Sequence, residues 1–446
     1  MASAAEQLAA NMNFGAFAKA TELKKRIWFT LGALIIYRLG TYIPLPGVNP
    51  QILGEIFRQQ GGGILGMFDM LAGGALSRMT IFALNIMPYI SASIIVQLLT
   101  AVSPQMEAMK KEGEAGRKKL NQYTRYGTVL LATVQAWGLA VGLEAMSGSS
   151  GAAVADPGLF FRIATVITLV GGTLFLMWLG EQITARGIGN GISLIIFAGI
   201  VAELPRALAS TLELGRTGAL STLFIIFMLV MAVGVVFFIV FMERAQRRLL
   251  VQYPKRQVGN RVFGGEASHL PLKLNTSGVI PPIFASSLLL LPLTAVGFAG
   301  GEGPEWLQTV SRYLAHGTPL YMALYAALIV FFCFFYTAIV FNPAETADNL
   351  RKYGGFIPGI RPGKNTADYI DYVLSRLTVI GSAYLVAVCL LPEILISQHS
   401  VPFYFGGTSL LIVVTVTMDT VAQIHSHLLA HQYEGLIKKA KLRGRK

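Results

Sequence analysis

The chain has 446 residues, of which 54% are hydrophobic and only 13% charged, and its formal net charge is +13. Soluble globular domains carry about 25% charged residues and lack apolar runs of membrane-spanning length, so the composition excludes that class. A transmembrane β-barrel is excluded too, because barrel strands alternate apolar and polar residues with a period of two.

Ten apolar stretches are long enough to cross a hydrocarbon core of about 30 Å as helices. They lie at 27–43, 79–103, 126–146, 159–180, 188–204, 218–242, 277–300, 318–341, 374–397 and 403–424. The first follows a basic run, like a signal peptide, but it ends at "YIPLPG" without a small-residue cleavage pattern. We therefore expect the first span to be retained.

The lysines and arginines are distributed unevenly among the flanks and loops of these spans. Of the 36, 29 lie in the amino terminus, the even-to-odd loops and the tail, five lie in the other loops, and two lie inside spans. The positive-inside rule therefore predicts cytoplasmic termini and cytoplasmic loops at 104–125, 243–273 and 342–376. The loops at 147–158 and 301–316 are predicted to be external.

This topology predicts an all-α polytopic fold in two five-helix halves, 27–204 and 218–424, joined by an external hinge loop at 205–217. Because five is odd, halves that are structural repeats must have opposite orientations. A cytoplasmic amino-terminal segment at 1–26 and a basic cytoplasmic tail at 425–446 complete the predicted organisation.

After the first span comes "GGGILGMFDMLAGGALSR", residues 61–78, which is apolar but rich in glycine. A helix from Ile64 to Leu76 would be about 20 Å long, too short to cross the membrane. From composition alone, an amphipathic interfacial segment is the simplest interpretation.

Two cytoplasmic loops combine basic residues with ordered turn chemistry. Loop 243–275 carries seven Lys/Arg around β-type segments, with "QYPKRQ" at the predicted hairpin tip, and loop 341–376 contains "GIRPG", which places Arg361 on a Gly/Pro bend. A solvated positive-inside loop that contacts anionic lipid is the alternative. The stiff bend favours a contact presented to another protein.

The sequence lacks the motifs of an enzyme. The glycines of "RGIGNGIS", residues 186–193, are typical of a tight turn between helices, since no strand precedes them and no Gly-Lys-Ser/Thr follows. Cys333 and Cys389 lie in separate apolar spans and are expected to be packing residues. We therefore predict no enzymatic activity, no cofactor and no metal site.

Charged residues lie towards the span ends, at Arg38, Arg162, Glu181, Glu243 and Glu393. An ion-coupled transporter usually keeps an ionisable residue near the bilayer midplane, so this distribution weighs against coupling. A secondary transporter of a small solute and a scaffold for other membrane proteins remain the alternative functions.

Seven segments closely resemble the bacterial SecY family of protein-export channels. They are "FDMLAGGALSR", "IFALNIMPYISASI", "KKEGEAGRKKLNQYTRYGT", "GEQITARGIGNGISLIIFAGI", "HLPLKLNTSGVIPPIFASS", "FNPAETADNLRKYGGFIPGIRPG" and "VPFYFGGTSLLIVV". The resemblance covers nearly the whole chain in order. It implies a passive channel of the bacterial inner membrane that passes unfolded polypeptide and releases apolar segments sideways into lipid.

The resemblance also implies roles for particular residues. The pore ring is matched by Ile86, Ile90, Ile192, Ile196, Ile283 and Ile412. The plug, residues 64–76, includes Ile64, Leu65, Gly66, Met67, Phe68, Asp69, Met70, Leu71, Gly73 and Gly74. The lateral gate between spans 2 and 7 includes Ser91, Ser93, Gln97, Ser286 and Ser287, whose side chains are expected to form weak hydrogen bonds when the gate is closed.

The implied partners are the small membrane subunits SecE and SecG, the ATPase motor SecA, the ribosome, unfolded preproteins and membrane lipid. Motor and ribosome would contact Arg247, Arg248, Lys255, Arg256, Arg261 and Arg361. Such a basic surface also suits ribosomal RNA phosphates.

Overall fold

The computed structural model describes residues 21–54, 69, 72–145, 147–148, 151–218, 221–254, 256–258, 261–263, 267–298, 313, 318–399 and 407–443. In the first half of the chain the helices are α1 (Thr21–Gly40), α2 (Met87–Val102), α3 (Pro104–Lys111), α4 (Glu114–Ala145), α5 (Leu159–Arg186) and α6 (Gly191–Arg216). In the second half they are α7 (Thr222–Arg244), α8 (Ile280–Phe298), α9 (Pro319–Val340), α10 (Pro343–Lys352), α11 (Lys364–His399) and α12 (Gly407–Arg443).

Each of the ten predicted spans overlaps one of these helices. Seven of the described helices are long and apolar enough to cross a membrane, and an eighth span results if α2 and α3, which meet at a bend of 99°, are counted together. The described part of the chain is therefore an all-α polytopic membrane protein. Helix α1 coincides with the first predicted span but includes charged residues at its amino-terminal end and Arg38 near its carboxyl-terminal end.

The second predicted span begins later than its hydropathy suggests. Helix α2 starts at Met87, whereas residues 72–86 form a series of turns in which Met79 and Asn85 have positive φ angles of 43° and 50°. Pro88 occupies the first turn of α2, where a missing N–H is tolerated and where a proline favours a helix start. The prediction of a span from residue 79 was therefore wrong at its beginning.

The prediction of a loop at 205–217 was wrong, because the segment is helical as far as Arg216. Helix α6 continues to Arg216 with Pro205 inside it. The segment after Pro205 is rich in alanine and leucine, which have high helix propensity, and it extends the helix beyond the proline.

Nine helices contribute residues to a large apolar core: α1, α2, α5, α6, α7, α8, α9, α11 and α12. Helix α2 packs against α4 and α8, and α8 also packs against α4 and α9. A second, smaller core lies near the loop after α1 and includes Leu45, Leu53, Met79 and Phe161. The large core is the one that contains the candidate site.

The loop between α7 and α8 forms a long antiparallel hairpin. Strand β3 (Gln246–Gln252) pairs with β6 (Ala267–Lys273), and β4 (Arg256–Val258) pairs with β5 (Arg261–Phe263). Two short strands, β1 (Ser147–Gly148) and β2 (Gly151–Ala152), pair in the loop between α4 and α5. We call 246–273 the cytoplasmic hairpin, after the location that the positive-inside rule predicts for this loop.

The register of the cytoplasmic hairpin corrects its predicted tip. Val258 of β4 pairs with Arg261 of β5, so the tip of the hairpin lies beyond Val258 and not within "QYPKRQ", residues 252–257. Leu249, Val251 and Leu272 of the hairpin pack with Ile370 and Val373 of α11 in a separate apolar cluster. The hairpin is therefore fixed to the bundle through α11.

Candidate functional site

The six isoleucines of the predicted pore ring lie in one apolar cluster. Ile86, Ile90, Ile196 and Ile412 are buried members of this cluster, and Ile192 and Ile283 are half-buried and pack against it. They come from the start of α2 and from α6, α8 and α12, which are far apart in sequence. All six residues therefore lie in or against the same large apolar core, and their arrangement as a ring stays a prediction.

Local sequence sets the position of the two isoleucines on α6. Asn190 caps this helix by accepting hydrogen bonds from the backbone N–H groups of Ile192 (3.1 Å) and Ser193 (3.5 Å). A Cβ on Gly191 would overlap the carbonyl oxygen of Gly180, so only glycine lets α6 start this close to α5. The turn predicted from "RGIGNGIS" is present, with a φ angle of +87° at Gly189.

The chemistry of aliphatic side chains determines what a ring of isoleucines could do. Branched aliphatic side chains form no hydrogen bonds, so a narrow passage between them can exclude water and ions by dewetting. They also have no fixed charge or fitted polar group that would trap a passing side chain of one chemical type. The cluster therefore suits a constriction more than a binding site for a small polar solute.

The predicted plug is only partly described. Ile64, Leu65, Gly66, Met67, Phe68, Met70 and Leu71 lie outside the described residues. The carbonyl of Asp69 accepts a hydrogen bond from the N–H of Gly74 at 2.8 Å, and φ is +65° at Gly73 and +75° at Gly74. This six-to-one hydrogen bond with a left-handed glycine is a Schellman helix end, which explains the glycine pair.

Two arginines hold this glycine pair. Arg38 donates from Nη1 to the Gly73 carbonyl at 3.0 Å, and Arg78 donates from Nη2 to the same oxygen at 2.8 Å and from Nε to the Gly74 carbonyl at 2.7 Å. Arg78 also forms an ion pair with Glu203 of α6, at 3.7 Å. We call Arg38, Arg78 and the two glycine carbonyls the arginine latch.

Sequence reasoning missed the arginine latch. In the sequence, Arg38 is recognisable only as a charge near a span end. The pairing of the Arg38 and Arg78 guanidinium groups with the Gly73 and Gly74 carbonyls depends on how α1 packs. A weak signal was present, since a glycine pair that ends a helix exposes carbonyl oxygens that cations can satisfy. A Cβ on Gly73 would also lie 2.9 Å from the Cα of Gly199, so the glycine allows close approach to α6.

The predicted lateral gate residues lie on α2 and α8, which pack together. Their described hydrogen bonds stay within their own helices: Gln97 Nε2 donates to Ser93 Oγ at 3.2 Å, and Ser286 Oγ donates to the Ile283 carbonyl at 2.9 Å. Ser91 and Ser287 are buried, and the Ser287 hydroxyl has no partner. Within the described ranges no hydrogen bond joins α2 to α8, so the expected bonds across this seam are absent there.

The basic residues predicted to contact other proteins lie on or beside the cytoplasmic hairpin. Arg247 and Arg248 are exposed on β3, Arg256 and Arg261 lie on the paired strands β4 and β5, and Lys255 lies outside the described residues. Arg361 is exposed on a bend between Gly359 (φ +84°) and Gly363 (φ +107°). Its carbonyl accepts a hydrogen bond from Thr366 Oγ1 at 2.9 Å, which ties the bend to the start of α11.

Two backbone hydrogen bonds connect these two loops. Gln252 at the end of β3 and Phe356 of the following loop exchange N–H to carbonyl bonds of 2.9 Å in both directions. The hairpin and the Arg361 bend therefore form one folded surface, although about a hundred residues of chain separate them.

The fold defines a helical multi-pass membrane protein with a large apolar core. The family model of SecY matches residues 80–421. The chain is 57% identical to the protein translocase subunit SecY of Escherichia coli strain K12 over 424 residues, which are 95% of this chain and 96% of that protein. The chain therefore belongs to the SecY family.

Two solved structures share the fold. One describes how the plug domain of the SecY protein stabilises the closed state of the translocation channel and maintains a membrane seal; its TM-score is 0.62 at 18% identity, with 91% of this chain and 92% of that chain covered. The other is Sec61 in the canine ribosome–channel complex from the endoplasmic reticulum, with a TM-score of 0.63 at 17% identity and the same shares covered.

Proposed function

We propose that this protein is the central subunit of a protein-conducting channel that moves unfolded polypeptides across the bacterial inner membrane and releases membrane segments sideways into lipid. The observation that carries this proposal is that the six isoleucines of the predicted ring, from α2, α6, α8 and α12, all lie in or against the large apolar core. A chain of any sequence must pass such a channel, which requires a flexible constriction without fixed charges. Membership of the SecY family supports the same conclusion.

The closed state, in this proposal, combines the ring with the plug. The plug segment rests on the outer side of the ring, and the arginine latch fixes its carboxyl-terminal end. Apolar packing along the seam between α2 and α8 closes the lateral gate. Opening requires that these contacts separate while the rest of the bundle remains intact.

The partners in this proposal follow from the cytoplasmic surface. The cytoplasmic hairpin and the Arg361 bend would receive the motor SecA or a translating ribosome, with SecE and SecG as membrane subunits. A solved relative of the same fold lies in a ribosome–channel complex, which supports the ribosome as one partner. The excess of basic residues in alternate loops supports cytoplasmic termini.

Reconstitution tests the function directly. Purified chain is placed in liposomes with SecE and SecG, and SecA, ATP and an unfolded preprotein are added; we expect ATP-dependent protection of the preprotein from external protease. Liposomes without the chain are the control. Uptake of a small solute driven by an ion gradient, without preprotein uptake, would instead identify a secondary transporter.

A further inference from the structure

A buried polar cluster lies where the cytoplasmic hairpin joins the helix bundle. Glu243 in the last turn of α7 accepts hydrogen bonds from Asn275 Nδ2 at 2.7 Å and from Tyr384 Oη at 3.4 Å. Asn275 Oδ1 accepts a hydrogen bond from Ser277 Oγ at 3.0 Å. Asn275, Ser277 and Tyr384 are buried. We call these four residues the Glu243 node.

Both ends of the cytoplasmic hairpin meet at this node. Strand β3 starts at Gln246, directly after α7, and β6 ends at Lys273, directly before the node. The backbone N–H of Leu274 donates to the Ala245 carbonyl at 3.0 Å, which closes the base of the hairpin. A Cβ on Gly381 of α11 would lie 2.8 Å from the Leu274 carbonyl oxygen, so this base is packed directly against α11.

The same node determines where α8 begins. Asn275 Nδ2 also donates to the Gly278 carbonyl at 3.1 Å, and Gly278 has a φ of +65° immediately before α8 starts at Ile280. Helix α8 carries Ile283 of the ring and Ser286 and Ser287 of the seam. Its cytoplasmic end is thus fixed by a polar network, whereas within the described residues its seam with α2 has no hydrogen bond.

The two contacts of α8, with the Glu243 node and with α2, differ in how easily they separate. A seam whose polar side chains bond only within their own helices can slide or separate without breaking a hydrogen bond. The Glu243 node cannot be broken without burying unpaired polar atoms. Because the node does not separate easily, a displacement of the hairpin moves α8 as well. Coupling of this kind needs a continuous chain of packed and hydrogen-bonded elements, which the hairpin, the node and α8 provide.

We propose that the Glu243 node is the mechanical link through which a load on the cytoplasmic hairpin moves α8 relative to α2. This inference rests on the proposed function, in which the hairpin receives the motor and α8 forms one side of the lateral gate. Glu243 is then a positioning residue: it touches no substrate and acts through Asn275.

The test separates motor binding from gate movement. Spin labels are placed at two exposed positions, Ile95 of α2 (42% exposed) and Leu288 of α8 (39% exposed), in full-length chain reconstituted with SecE and SecG. The distance between the labels is measured by pulsed electron paramagnetic resonance with and without SecA and a non-hydrolysable ATP analogue. The affinity for SecA and the rate of preprotein export are measured on the same samples.

Three variants remove different hydrogen bonds of the Glu243 node. Glu243→Leu removes both acceptor contacts, Glu243→Gln keeps a carbonyl oxygen for Asn275, and Tyr384→Phe removes only the longer bond. We expect Glu243→Leu to keep the parent's affinity for SecA, because the substitution changes none of the basic side chains proposed to contact the motor. Its label distance should stay at the resting value and its export rate should fall by about tenfold, because the variant lacks the hydrogen bonds that couple the hairpin to α8.

The conservative variants provide the positive controls. Glu243→Gln should retain both the distance change and most of the export rate, and Tyr384→Phe should have a smaller effect than Glu243→Leu. A distance change in Glu243→Leu equal to that of the parent overturns the inference. Loss of SecA affinity in Glu243→Leu also overturns it, because the node would then only maintain the fold of the hairpin, and the proposed function would stand.

A different result identifies failure of the proposed function itself. If the parent chain binds no SecA, or binds it without any change in the label distance, the hairpin does not receive the motor or α8 does not form a gate. The inference then falls together with the function on which it rests.

Discussion

Gln252 and Phe356 exchange two backbone hydrogen bonds of 2.9 Å, so the cytoplasmic hairpin and the loop that carries Arg361 are joined as neighbouring strands are. The hairpin also shares an apolar cluster with Ile357 of that loop and with Ile370 of α11. Because backbone pairing and side-chain packing occur together, a partner that contacts one loop is expected to contact a single rigid surface.

Substitution of Gly355 by a larger residue is expected to separate the hairpin from the loop that carries Arg361. A Cβ at this position would lie 3.0 Å from Cε1 of Tyr253 and 3.1 Å from Cγ1 of Val251, so a larger side chain must push the hairpin away. We expect Gly355→Val to cost about 1–3 kcal/mol through overpacking and to open the Gln252–Phe356 pair. Hydrogen exchange at the Phe356 amide should accelerate by about tenfold or more, while the amides of α11 remain protected.

Lys352→Ala is the matched control for this variant, since Lys352 is exposed at the end of α10, directly before the same loop. Unchanged exchange at Phe356 in Gly355→Val would mean that the two loops are not held together by this contact.

Arg361 is expected to contact the motor. It is exposed between two glycines of positive φ, so its guanidinium group is presented on a defined bend and its geometry cannot be reproduced by lysine or glutamate. We expect Arg361→Glu to leave the protein folded and inserted but to reduce SecA-driven export strongly, as measured by preprotein uptake into vesicles. Arg351→Glu, an exposed arginine on α10, should have little effect. Normal export by Arg361→Glu at normal protein level would make Arg361 an ordinary loop arginine.

The isoleucine ring is expected to seal the resting channel. Replacing several of Ile86, Ile90, Ile192, Ile196, Ile283 and Ile412 by glycine or serine should make the channel leak ions while protein transport persists, because smaller or polar side chains let water wet the constriction. Planar-bilayer conductance measures the leak. Ile95 of α2 is 42% exposed, and Ile95→Ser should leave the seal intact. A ring variant that stays as tight as the parent, even with the plug region deleted, would refute the assignment.

The arginine latch is expected to keep the plug in place. Arg78 makes two charge-assisted hydrogen bonds to the Gly73 and Gly74 carbonyls, each of which contributes on the order of 1.5–3 kcal/mol. We expect Arg78→Ala to increase the frequency of brief openings in planar bilayers and to raise cross-linking between a cysteine in the plug and one in an external loop.

Arg206→Ala is the control for the latch, because Arg206 pairs with the same Glu203 at 3.9 Å but is 69% exposed. An Arg78→Ala channel as quiet as Arg206→Ala would show that the latch contributes nothing to closure.

The sequence by itself determined the membrane class, the location of the apolar stretches and the bias of basic loops. These properties are local: the thickness of the hydrocarbon core fixes how many consecutive apolar residues a span needs, and charge bias is a count along the chain. The glycine turn before α6 was predictable for the same reason, since a positive φ angle is a property of a single residue. The isoleucine ring could be named only through a family resemblance, because spacing on separate helices does not say which faces meet.

Only the tertiary structure decided how distant segments meet. Arg38 and Arg78 converge on the Gly73 carbonyl, and Glu243, Asn275 and Tyr384 come together from three parts of the chain. Such contacts form because buried polar groups need hydrogen-bond partners, and these partners come from segments that are distant in sequence. No local sequence pattern shows which segments will meet.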